Sequence, residues 1–225
     1  MGSSTLQQSS LTKKYVMAFA GLFLITFLFV HMGINLLVLL PDTDWFNLAA
    51  HFMGTNILIK IFEFVLFGGF IIHIIYGLFI QVQNWLARPD RYKKEGWSHT
   101  SPFSKFMIHT AVLIFIFLVL HLGDFYIKAK FLGEIGEVAI DGKMYHDMGA
   151  LVLAKFQFPQ FVIGYCIMML FLGFHLQHGF QSAFQSLGLN HSKYTPFIKY
   201  LSTIVAVILA AGYMSIPVLI YFGNY

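Results

Sequence analysis

Five stretches of the chain, roughly residues 15–40, 57–86, 105–127, 159–187 and 197–222, are nearly unbroken runs of apolar side chains separated by short polar segments. Each run meets or exceeds the roughly 20 apolar residues that a helix needs to cross a bilayer. The pattern therefore predicts five transmembrane helices, with the longer runs tilted or extended into water. Pro41, Pro102, Pro159 and Pro196 fall at or just outside the ends of runs, where a missing backbone N–H is tolerated. Pro217 lies inside the fifth run and predicts a kink near its end. No repeat or low-complexity tract interrupts this plan. The expectation is an all-α integral membrane protein, a single five-helix domain over residues 1–225.

Composition agrees. Of the 225 residues 58% are hydrophobic and 11% charged, where a soluble domain carries roughly 25% charged residues. Twenty-six Phe and 11 Tyr suit a lipid-facing surface better than a water-facing one. Five spans with short loops leave no room for a separate soluble catalytic domain. The charge reports topology rather than nucleic-acid binding. Lys13, Lys14, Arg88, Arg91, Lys93, Lys94, Lys105, Lys193 and Lys199 share one side with only Asp90 and Glu95. Lys60, Lys128, Lys130, Lys143 and Lys155 lie on the other, with most of the acids. The positive-inside rule then puts the N-terminus in the cytoplasm and the C-terminus outside. The longest loop, about 128–158, is expected to be external and to carry a short surface helix. The polar N-terminal segment predicts no cleaved signal peptide.

The chemistry lies in the histidines. His31, His73, His121 and His175 each occupy a different apolar run, and an ionisable residue in hydrocarbon is by default a candidate functional residue. Helical rise puts His31 and His121 roughly 24 and 22 Å from the inner ends of their spans, and His73 and His175 roughly 9–15 Å from theirs. The four thus fall into an outer pair, His31/His121, and an inner pair, His73/His175, about 10 Å apart along the membrane normal. A lone intramembrane histidine is more often a packed, hydrogen-bonded residue. Four in four spans at two matched depths point instead to two haems, each held by two axial imidazoles. Cys166 is the only cysteine, which excludes covalent CxxCH attachment and thiolate iron–sulfur ligation within the chain. Gly21, Gly33, Gly68, Gly69, Gly77, Gly164, Gly173 and Gly179 leave space for a flat macrocycle, though such residues equally serve close helix packing. His178, on nearly the same helical face as His175, is a rival inner ligand or a propionate partner. His51, His99, His109, His146 and His191 read as solvated interfacial histidines.

The stretch from Lys60 to Glu63, followed by His73-Ile-Ile-Tyr76-Gly77, resembles the second helix of the cytochrome b membrane-anchor subunit of succinate dehydrogenases and fumarate reductases, in the single-chain, five-helix, two-haem type. His175-Leu-Gln-His178-Gly179-Phe-Gln181-Ser182 is similar to its fourth-helix motif, where the ligand precedes a Gly by four positions. The resemblance extends over nearly the whole chain through helix count, histidine order and the long external loop. It implies His73/His175 as axial ligands of a haem b near the cytoplasm and His31/His121 as those of an outer haem b. It also implies docking to a flavoprotein subunit carrying FAD and to an iron–sulfur subunit, and exchange of electrons with a membrane quinone, menaquinone being expected. A bacterial cytoplasmic membrane is the implied location. Dicarboxylate chemistry would reside in the partner subunit. The basic loop with Arg88, Arg91, Lys93 and Lys94 would serve docking or haem propionates, beside its topological role. No acidic residue lies beside His175, so a proton-transfer role that some members assign to a Glu there does not carry over.

Three rivals remain. A two-haem anchor of another quinone-linked respiratory enzyme is nearest, although such anchors concentrate their ligands on few helices. A di-iron hydroxylase would need clustered histidine motifs, of which only His175/His178 offers a trace. A His-relay transporter would need buried carboxylate partners, for which only Glu63 and Asp124 near span ends are available.

Overall fold

The computed structural model describes residues 2–86 and 106–223. His99, Pro102, Lys105 and the basic group Arg88, Arg91, Lys93 and Lys94 lie outside the described residues. In chain order the elements are α1 (Gly2–Leu36, ending in a 3-10 turn over Leu37–Leu39), α2 (Asp44–Thr55), α3 (Ile57–Leu86) and α4 (Met107–His121). A π-helical continuation, Leu122–Leu132, prolongs α4. Strands β1 (Glu137–Ile140) and β2 (Lys143–His146) follow, then α5 (Met148–Phe156), α6 (Pro159–Ser186) and α7 (Thr195–Phe222).

Five helical segments are long and apolar enough to span: Thr12–Leu39, Ile57–Leu86, Met107–Leu132, Pro159–Ser186 and Thr195–Phe222. They match the five apolar runs, and the protein is an all-α, five-helix membrane protein. Their outward surface is apolar, with Phe19, Phe64, Ile71, Ile116, Phe197 and Phe222 all exposed. In water such a surface would be a severe liability; in lipid it is the solvated face. α3 buries none of its residues fully, which suits a helix at the periphery.

α6 and α7 form the most extensive contact, joined by apolar packing and by two hydrogen bonds. Gln177 donates to Thr203 at 2.9 Å and Gln181 to the fully buried Ser202 at 2.8 Å. A Cβ on Gly173 would stand 3.2 Å from that of Ala210, so this glycine serves close approach. α1 packs against α3, α6 and α7, and α4 against α6. Among the described residues, α1 with α4 and α3 with α6 make no packed interface. α7 runs on through the buried Pro217.

Elements α2, β1, β2 and α5 cap one end of the bundle. The sequence reading anticipated one short helix in a loop over 128–158. Instead the helical segment persists to Leu132, because its charges are paired: Asp124 with Lys155 at 2.7 Å, and Lys130 with Glu63 and Tyr126. The hairpin turns at Asp141-Gly142, with φ of 50° and 74°, the left-handed conformation that a two-residue turn requires. α5 begins at Asp147, whose side chain accepts from the Ala150 N–H, as an N-cap does. Fully buried Asn47 on α2 locks the cap together, donating to Asp147 at 3.1 Å and accepting from the Gly149 N–H at 2.8 Å.

Candidate functional site

The four intramembrane histidines meet as two pairs. His31 on α1 and His121 at the end of α4 have ring centroids 5.9 Å apart, with planes at 89°. His73 on α3 and His175 on α6 stand 6.2 Å apart, with planes at 72°. Among the described residues, each pair bridges two helices that share no extensive contact, α1 with α4 and α3 with α6. All four rings are only partly covered by the protein.

Cross-helix contacts measure the distance between the two levels. Gly21 on α1 lies beside His73, where its Cβ would stand 3.5 Å from Cε1. Thr110 on α4 lies beside His175, and Tyr165 on α6 beside His121. Positions 21 and 31, 165 and 175, and 110 and 121 are ten or eleven residues apart, about 15–17 Å at helical rise. This exceeds the 10 Å expected from span edges alone, because contacts between helices fix relative height where hydropathy boundaries do not.

The outer pair sits among aromatic rings. Phe27 stacks on His31 at 5.2 Å and Phe117 on His121 at 5.6 Å, each from one turn earlier in its helix. Tyr165 places its hydroxyl 3.5 Å from His121 Nδ1. Asn35 Nδ2 donates to the His31 carbonyl at 2.8 Å and lies 3.4 Å from the His31 ring nitrogens. At the inner pair, Thr110 Oγ1 is 3.4 Å from His175 Nδ1, and His73 Nδ1 is buried without a hydrogen-bond partner.

These features fit a metal with two axial imidazoles. Centroid separations of 5.9 and 6.2 Å lie in the ordinary range of edge-to-face ring contact, so what sets these two places apart is that each brings together two imidazoles from different helices. Among the described residues no group of three or more His, Cys, Asp or Glu side chains could hold a metal ion. Each pair offers two imidazoles, which would hold a metal only where its other donors come with it. A buried imidazole nitrogen without a partner is costly, and His73 Nδ1 is such an atom.

The remaining histidines stand apart from these pairs. His178 Nε2 lies 3.2 Å from Ser182 Oγ on its own helix, and it is His175, not His178, that meets His73. His51 packs edge-on to Tyr145, His109 to Phe106, and His191 Nδ1 accepts from the Lys193 N–H. His51, His109, His146 and His191 are exposed. Of the eight glycines, Gly21 faces a candidate ligand, and Gly69, Gly77 and Gly173 face packed side chains. Gly179 meets only Met107, at ordinary contact distance, and Gly33, Gly68 and Gly164 face open space. Thr110, Tyr165 and Asn35 were not singled out from the sequence. Only Asn35 carried a signal, its four-residue spacing from His31. Comparison with family models, curated proteins and solved structures gives no match for the chain.

Proposed function

We propose that the chain is a di-haem cytochrome b, the membrane anchor of a succinate:quinone oxidoreductase. It would carry electrons between an iron–sulfur subunit and a membrane quinone, and hold that subunit and its flavoprotein partner at the membrane. The observation that supports this best is the meeting of four intramembrane histidines from four helices as two pairs. His31 and His121 would hold one haem b, His73 and His175 the other. Haem iron, when bound, supplies a one-electron couple whose potential is set by axial ligands, burial and nearby hydrogen bonds.

The chain's own residues define the rest of the task. Phe27 and Phe117 stack on the outer imidazoles and restrain their planes. Charge asymmetry supports a cytoplasmic N-terminus in a bacterial inner membrane, with the His73/His175 pair toward the partner subunits. The carboxylates that a proton or metal relay would need are engaged elsewhere, Asp124 with Lys155 and Glu63 with Lys130 and Tyr126. This weighs against the transporter reading.

Haem content and pairwise loss test the proposal. Pyridine haemochrome analysis of the purified chain should give about two haems b per chain, low-spin and six-coordinate. His73→Ala and His175→Ala should remove one redox component, and His31→Ala and His121→Ala the other. One haem per chain, or the same component lost in His31→Ala and His73→Ala, overturns the pairing.

A further inference from the structure

Each metal-bound imidazole must present one nitrogen without a proton, and the group beside its other nitrogen decides which one that is. The four candidate ligands differ sharply in this respect. His73 Nδ1 has no partner. Asn35 is near both nitrogens of His31 and so favours neither. Tyr165 reaches His121 Nδ1 at 3.5 Å, through a hydroxyl with no second recorded bond to fix its direction.

Thr110 is different. It is only 8% exposed, and its hydroxyl donates to the Met107 carbonyl at 2.9 Å. A hydroxyl has a single proton to donate, so with that proton on the Met107 carbonyl, Oγ1 would face His175 Nδ1, 3.4 Å away, as an acceptor. The proton of a neutral His175 is then held on Nδ1, and Nε2 keeps its lone pair. Thr110 is also the sole polar residue lining a pocket of about 210 Å³ otherwise walled by Phe106, Phe171 and Phe174. Thr110 itself is buried, and away from water a hydrogen bond acts more strongly.

We infer that Thr110 is a positioning residue for His175, selecting the tautomer whose Nε2 faces the metal and enriching the imidazole as an electron donor. The inference rests on the di-haem reading. A hydrogen-bond acceptor on Nδ1–H pushes electron density toward the bound metal and favours the ferric state. Removing it favours the ferrous state. The competing account is an ordinary threonine back-bond within a helix, which would be felt by folding and not by one redox couple.

The test is optical redox titration of the purified full-length chain carrying Thr110→Val, which keeps the shape and removes the acceptor. Both haems should remain, and only the component lost in His175→Ala should shift to higher potential. The expected size is about tenfold in its reduction equilibrium, about 59 mV for a one-electron couple. Thr110→Ser should restore the wild-type value. Thr110→Ala, which cannot overpack, should reproduce the shift if the valine variant does not fold. Unchanged potentials in Thr110→Val and Thr110→Ala, equal shifts of both components, or failure of Thr110→Ser to restore the value each overturn this inference alone. A wild-type chain that binds no haem overturns the di-haem reading and this inference with it.

Discussion

Phe27 and Phe117 each lie one helical turn before an outer histidine and stack on its ring, with interplanar angles of 21° and 24°. A side chain four positions away on the same helix reaches its neighbour by helix geometry alone, so each histidine brings the ring that restrains it. The two imidazoles are thereby held at 89° to each other. If His31 and His121 hold a haem, each imidazole would donate π density to the iron d orbital perpendicular to its own plane. Crossed planes treat the two such orbitals alike and leave them nearly degenerate. The component that His31→Ala removes should therefore give a strongly anisotropic low-spin EPR signal. Phe27→Ala, by freeing the His31 ring, should make that signal more rhombic while both haems remain. A rhombic signal already present in the wild-type chain contradicts the crossed geometry.

The five spans were legible because apolar content alone dictates them, and Pro159 and Pro196 mark two helix starts where a proline costs nothing. Asp141-Gly142 between two short alternating segments was a hairpin signal, but in a loop of mixed charge it was not read as one. The extension of α4 to Leu132 was not legible. Lys128 and Lys130 look like loop residues, and Asp124 a span end, until Lys155 and Glu63 arrive from distant segments to pair Asp124 and Lys130. The same holds at the site: helix rise gave the pairing of the four histidines, whereas Thr110 and Tyr165 reach theirs only across helices. Two element-level outcomes follow. Asn47→Ala breaks both bonds that join α2 to α5 and should cost about 1–3 kcal/mol, read as faster proteolysis within 133–156 with the inner component unchanged. Gly21→Leu should expel the haem held by His73 and His175, because bulk would press on the His73 ring. Gly21→Ala should not, since a methyl there makes only ordinary contact at 3.5 Å. Equal haem content in both Gly21 variants would show that α1 leaves more room than the structure indicates.

At the scale of the whole molecule, the two histidine pairs tie together helices that the protein's own packing leaves apart. α6 and α7 are joined along their length, whereas α3 is attached through α1, α2 and, by Glu63 and Phe67, the continuation of α4, and α4 chiefly through α6. Hydrophobic burial does little to close such gaps in a bilayer, because lipid tails solvate an apolar helix face as well as another helix does. A group that bridges His73 to His175, or His31 to His121, would therefore contribute a large share of the cohesion of α3 and α4. Stabilisation by a bound ligand grows with its affinity, about 2.7 kcal/mol when present at a hundred times its Kd, and it acts only on elements that must separate for the ligand to leave. Loss of the inner haem in His73→Ala should then raise amide hydrogen exchange across α3 far more than across α7. Loss of the outer haem in His121→Ala should raise it across α4 instead. Uniform change, or protection of α3 that does not depend on haem, would mean that lipid and the α1–α3 contact hold the bundle without the cofactors.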